Sequence, residues 1–120
     1  MKYLSFLLLS LLLSTVVISQ KSPVKVGIAG LTHGHVGTIF RYEGNEIEIV
    51  GIAESNEALA KKLSERYGFS MDIVYASLDE MIDATKPEAV TAFNSTFEHL
   101  EVVESCAPRG IHVMVEKPWR

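Results

Sequence analysis

Glu116-Lys117-Pro118 closes an apolar run through Ile111, Val113, Met114 and Val115, and the stretch Gly30-Leu31-Thr32-His33-Gly34-His35-Val36-Gly37 follows another such run, Val24 to Ala29. Both put polar and charged residues directly after a strand-like segment. A glycine loop between a strand and a helix leaves backbone N–H groups open to a pyrophosphate, because side chains there would hold phosphate oxygens away and block the tight turn. Counting G-x-G-x-x-G from Gly30 puts Thr32 and His35 at the second and third glycine positions, whereas counting back from Gly37 and Gly34 puts Thr32 first. Either register replaces at least one glycine, so a longer loop or a somewhat different phosphate contact is expected. Glu54 comes some two dozen residues after Gly30, close to the spacing of about 20 at which an acidic side chain meets the ribose hydroxyls of NAD. A carboxylate there repels the extra phosphate of NADP. With no arginine in Ser55-Asn56-Glu57, NAD is the preferred dinucleotide and NADP the second possibility.

His33 and His35 flank Gly34. As a metal pair they lack further ligands, with no cysteine or carboxylate near them in the loop, so no metal is expected. A phosphate or substrate contact and a solvent-exposed pair are the two readings that remain. Cys106 falls at helical spacing with Val102, Val103 and Ala107 and reads as a small buried hydrophobe. As the single cysteine it can form no intramolecular disulfide, so the core must suffice for stability.

Alternating short strands and helices position these residues, the order expected of a parallel sheet with crossover helices on both faces. Strands are predicted at Val24 to Ala29, Ile47 to Ala53, Ile73 to Tyr75, Ala89 to Phe93 and Ile111 to Val115, and helices at His35 to Tyr42, Asn56 to Tyr67 and His99 to Pro108. A further helix is capped by Ser77, with Glu80 completing a capping box, and runs through Ala84 because Pro87 forbids its continuation. Gly68 and Gly110 mark stops. The fold class is α/β, a doubly wound, Rossmann-like parallel sheet.

The chain has 120 residues, 48% of them hydrophobic, enough for one packed domain. Its first stretch is of another kind: Met1-Lys2 is a short positive start, Tyr3 to Ile18 an apolar run, and Val17-Ile18-Ser19 precedes a plausible cut. Residues 1–19 are read as a signal peptide and 20–120 as the domain, with a periplasmic or secreted location. An uncleaved membrane anchor is the alternative, and no stable span is expected after cleavage. The run falls slightly short of the roughly 20 residues that span a bilayer. A net charge of −4 without a lysine or arginine cluster excludes a broad nucleic-acid surface.

Val24-Lys25-Val26-Gly27-Ile28-Ala29-Gly30, Ala89-Val90-Thr91-Ala92-Phe93 followed by His99, and above all Gly110-Ile111-His112-Val113-Met114-Val115-Glu116-Lys117-Pro118 resemble the N-terminal half of the Gfo/Idh/MocA oxidoreductase family. The resemblance extends over essentially everything after residue 23. Departures lie in the glycine loop and in Asn94-Ser95-Thr96, where members often carry a proline-containing turn. It implies a nucleotide-binding domain of an NAD(P)-dependent oxidoreductase that acts on a sugar, polyol or related carbohydrate. Lys117 would be the catalytic lysine beside nicotinamide and substrate, Glu116 and Pro118 would fix its loop, and Asn94, Ser95, Thr96 and His99 would line the cofactor crevice. For His99, a polar residue at a helix start is an equally good account.

The same resemblance implies a C-terminal α+β substrate domain, missing from this chain. The expectation is a fragment, inactive alone, of a protein of roughly 350 residues or more, homo-oligomeric when full length. Two alternatives stand beside the oxidoreductase: an NAD-using glycoside hydrolase of the same family, and a non-catalytic exported ligand-binding domain that kept the fold.

Overall fold

A computed structural model describes residues 21–117, so the leader expected at 1–19 and the candidate Pro118 lie outside the described residues. Five strands form one parallel sheet: β1 (Val24–Ala29), β2 (Ile47–Ala53), β3 (Val74–Tyr75), β4 (Ala89–Ala92) and β5 (His112–Val115), in the order β3-β2-β1-β4-β5. The helices are α1 (Val36–Phe40), α2 (Glu57–Tyr67), α3 (Leu78–Thr85) and α4 (His99–Cys106). With β1 at the centre, the direction of winding reverses between β1 and β4. That reversal opens a crevice beyond the carboxyl ends of the strands.

Register puts those ends level. Ala29 pairs with Ala53 on one side and Ala92 on the other, Ala53 with Tyr75, and Ala92 with Val115, so the last residues of all five strands form one row. The residues that follow the row, Gly30, Glu54, Ala76, Phe93 and Glu116, therefore emerge along one edge.

Each face of the sheet carries its own apolar cluster. Ile28, Ile52 and Phe93 pack with Val36, Ala60 and Leu63 from α1 and α2, while Ala29, Ala53, Val90 and Ala92 pack with Met81, Ile82, Val102 and Cys106 from α3 and α4. Helices on both faces explain why the strands are continuously apolar rather than alternating. Met81 needs a slot in the sheet. Gly27 and Gly51 are cross-strand partners that supply it: a Cβ on either would come within 2.7 Å of the methionine side chain. Beside them the register slips between Val26 and Gly27, leaving Val50 as an extra residue in β2.

Local signals act largely as their chemistry dictates. Asn56 Oδ1 accepts the Leu59 N–H at 3.1 Å, Ser77 Oγ accepts the Glu80 N–H at 3.3 Å, and Gly68 and Gly110 take left-handed φ values of 80° and 68°. Lys86 also turns left-handed (φ 48°) at the end of α3, since a residue before proline is pushed out of the helical region. Several boundaries differ from the sequence reading, among them that β5 begins at His112 rather than Ile111 and α3 runs to Thr85 rather than Ala84. α1 spans only Val36–Phe40 rather than His35 to Tyr42, in keeping with its glycine and β-branched residues, which are weak helix formers. Ile73 belongs to a 3₁₀ turn (Met71–Ile73), so β3 has two residues. β4 stops at Ala92, and α4 passes into a 3₁₀ turn, Ala107–Arg109, that contains Pro108. The capping box with both reciprocal bonds forms at Ser95 and Glu98, ahead of α4.

Candidate functional site

The glycine loop is built by what anchors it. Gly30 N–H donates to the Ala53 carbonyl at 2.8 Å, and its φ of 77° is one that L side chains rarely adopt. A Cβ on Gly30 would lie 2.4 Å from Asn94 Cβ, so glycine is also what lets the loop pass the end of β4. The Phe93 carbonyl then accepts the His33 N–H at 2.8 Å and the Thr32 hydroxyl at 3.3 Å. Gly37 has a packing role: a Cβ there would lie 2.5 Å from the Tyr67 hydroxyl of α2.

Gly34 has no such role. Its φ is not positive, and a Cβ on it would meet nothing within 4 Å among the described residues. Neither strain nor packing within the chain calls for glycine there, whereas a ligand approaching the backbone would.

Glu54 leaves the end of β2 with both oxygens engaged. Oε2 accepts the Leu31 N–H at 3.0 Å and Oε1 the Asn56 N–H at 2.8 Å, so the carboxylate ties the glycine loop to the start of α2. Each oxygen retains a lone pair for a further donor such as a ribose hydroxyl. Beside it a crevice of about 250 Å³ is lined by Gly30, Thr32, Glu54, Asn94, Glu98 and Glu101, among others. Among the described residues, three carboxylates and no lysine or arginine line this space. Thr91 Oγ1, Asn94 Oδ1 and His99 Nε2 are buried without a hydrogen-bond partner among the described residues, a condition that favours an added polar partner.

Farther along the same edge, β5 delivers Glu116. Its Oε2 lies 3.2 Å from Nδ1 of His35 and accepts the Lys117 N–H at 3.3 Å. Its carboxyl is held below the ordinary range, first by the hydrogen bond from His35; partial burial works in the opposite direction. His33 joins through its Nδ1, which accepts the His35 N–H at 3.3 Å, and the two imidazole centres are 4.7 Å apart. Lys117 is exposed at the end of β5.

The candidates thus divide. Gly30, Thr32, Glu54 and Asn94 share the crevice, His33, His35 and Glu116 form a second group, and Gly37 packs behind the loop. Ser95 and Thr96 do not line the crevice; Ser95 N–H and hydroxyl are both taken by Glu98, and Thr96 is exposed in a 3₁₀ turn. Glu98 and Glu101 are lining residues the sequence reading missed. The Ser95-x-x-Glu98 spacing was a visible capping signal for the first, and helical spacing from Glu98 places Glu101 beside it. The expectation that no carboxylate stands near the two histidines also needs correction, because Glu116 reaches them from the far end of the chain.

A level strand edge at a winding reversal, a glycine loop on the first strand and a carboxylate on the second define a dinucleotide-binding Rossmann domain. Residues 24–119 match the Gfo/Idh/MocA model, described as an oxidoreductase family with an NAD-binding Rossmann fold, and the chain belongs to that family. It is 31% identical over 99 residues to D-glucoside 3-dehydrogenase of Escherichia coli (strain K12), covering 81% of this chain and 28% of that protein. To myo-inositol 2-dehydrogenase of Thermotoga maritima it is 30% identical over 98 residues, covering 79% of this chain and 28% of the relative. Among solved structures, scyllo-inositol dehydrogenase from Lactobacillus casei with bound NAD(H) and scyllo-inositol superposes with a TM-score of 0.64 at 25% identity, over 80% of this chain and 28% of that one. The chain therefore spans under a third of the length of the relatives it matches.

Proposed function

We propose that this chain is the nucleotide-binding part of an NAD-dependent oxidoreductase acting on a sugar or polyol. The observation that carries the reading is Glu54, fixed by two backbone N–H groups beside a crevice at the winding reversal. NAD, when bound, supplies the hydride acceptor. The chain's own residues bind and orient. The open backbone at Gly34 would receive the pyrophosphate, and Glu54 would accept ribose hydroxyls. Lys117 would stand beside the reacting carbon, where its side-chain nitrogen would polarise a hydroxyl or carbonyl and assist the accompanying proton movement. Glu116 orients that segment through the His35 contact and the Lys117 N–H.

NAD is preferred over NADP because the crevice wall is acidic: Glu54, Glu98 and Glu101 would all face a 2′-phosphate with no cation among the described lining residues to offset them. The carbohydrate substrate rests on the relatives, which are named for glucosides and inositols. A further domain beyond the Rossmann part is supported by the relatives' greater length. Residues 1–19 act as an export leader in this reading, which the composition of that stretch supports. Among the described residues no helix is long and apolar enough to cross a membrane.

Calorimetric titration of the full chain with NAD and NADP tests the cofactor half. Binding of NAD at least tenfold tighter than NADP is expected. Binding of neither would refute the reading and leave a non-catalytic use of the fold. Testing the full-length protein against glucosides and inositols addresses the substrate half. Product release without net cofactor reduction would point to the hydrolase alternative.

A further inference from the structure

We propose that His33, His35 and Glu116 form a site for a divalent first-row transition ion of the zinc class, with an open coordination position. The three side chains come from two chain segments, and their ligand atoms lie within 4.8 Å of one another. Metal–nitrogen and metal–oxygen bonds of about 2.0–2.2 Å place tetrahedral ligands roughly 3.4 Å apart. The His35 Nδ1 to Glu116 Oε2 separation of 3.2 Å is already one such edge. From a spread of at most 4.8 Å, the edges to His33 must each shorten by no more than about 1.4 Å.

The donor set selects the ion. Two imidazoles and one carboxylate suit zinc, cobalt, nickel or iron, whereas magnesium and calcium require a shell of oxygens. Outer contacts orient the ligands: the Lys117 N–H holds Glu116 Oε2, and the Phe93 carbonyl holds the His33 backbone. Three protein ligands leave a fourth position for water or another oxygen donor, the arrangement of reactive rather than structural zinc sites. Its occupation would tie the glycine loop to the end of β5 whether or not a dinucleotide binds, so the inference is independent of the cofactor reading.

The test is titration of the tag-free full chain with Co2+, read by its visible absorption and by calorimetry, with Zn2+ competition and Mg2+ as the contrasting ion. Expected is saturable binding of one Co2+ per chain, displaced by Zn2+ and indifferent to Mg2+. His35→Gln and Glu116→Gln should each weaken it at least tenfold, while His112→Gln, on an exposed strand histidine, should not. Thermal unfolding of each variant without metal establishes that it is folded. Should Glu116→Gln fail to fold, His35→Gln carries the test, since that side chain is 66% exposed. Binding unchanged in His35→Gln, binding lost equally in His112→Gln, or no saturable binding would overturn the proposal.

Discussion

Replacing Glu54 with glutamine removes one charge from the crevice wall and keeps the side chain's shape. A phosphate ester carries a charge of about −1.5 to −2 at neutral pH. Two unit charges about 4 Å apart repel by ~1 kcal/mol in water and ~4 kcal/mol at an effective dielectric of about 20. The crevice is open to solvent, so the low end applies, and the NADP-to-NAD affinity ratio should rise roughly 5- to 30-fold for about 1–2 kcal/mol. The fold responds as well. Glu54 accepts from both Leu31 and Asn56, and a glutamine has one carbonyl oxygen for the two donors, with loss of a charge-assisted bond costing about 1.5–3 kcal/mol. Glu101→Gln separates the two effects, because that residue lines the crevice and no hydrogen bond ties its side chain among the described residues. Calorimetric Kd values for both dinucleotides, at low salt and at about 0.15 M where the Debye length is ~8 Å, read the charge effect, and urea denaturation reads the fold. If Glu54→Gln destabilises the chain but leaves the NAD/NADP ratio unchanged at low salt, Glu54 is a loop tie only and the ribose assignment fails.

The two loop glycines should behave in opposite ways. Gly30→Ala meets both a left-handed backbone penalty of ~1–2 kcal/mol and overpacking of ~1–3 kcal/mol against Asn94, whereas Gly34→Ala should leave the denaturation midpoint nearly unchanged and weaken NAD binding at least tenfold; unaltered NAD affinity would remove the pyrophosphate from that position. Cys106 is fully buried and its thiol is pushed up chiefly by burial, so a thiol reagent should label it only as fast as the chain unfolds, and rapid labelling in the native state would contradict the packing of α4. Glu116 binds a proton less readily folded than unfolded, so it contributes stability above the ordinary carboxylate range that is lost as pH falls through its lowered value. Unfolding free energies of wild type and Glu116→Gln should accordingly differ at about pH 6 and converge toward about pH 2–3, and a gap independent of pH would refute the contact with His35.

Most elements were readable because their signals are local. Asn56, Ser77, Gly68 and Gly110 act on backbone groups a few residues away, and continuous apolar strands require cover on both faces. What escaped depends on distance in the chain. The contact between His35 and Glu116 exists only because register aligns Ala92 with both Ala29 and Val115, and no spacing rule in the sequence conveys it. Glu101 was invisible as a crevice residue for a related reason: its helix must first be docked over β4 before any side chain on it faces Glu54. The short α1 was legible in principle from Val36, Gly37, Thr38 and Ile39, which together outweigh the amphipathic pattern.

The central position of β1 has a consequence for how the chain comes to be. β1 is flanked on one side by β2, which follows almost at once, and on the other by β4, whose Val90 pairs with Gly27 across 63 positions of sequence. At synthesis rates of about 5–20 residues per second, one edge of the future sheet centre therefore stays unpaired for roughly 3–13 s. Throughout that interval Ile28 lacks its β4 neighbour and the glycine loop lacks the Phe93 carbonyl that anchors it. A nascent chain of this topology exposes an apolar strand before it can protect it, which makes the ribosome-bound intermediate a fit for chaperones that bind extended hydrophobic segments.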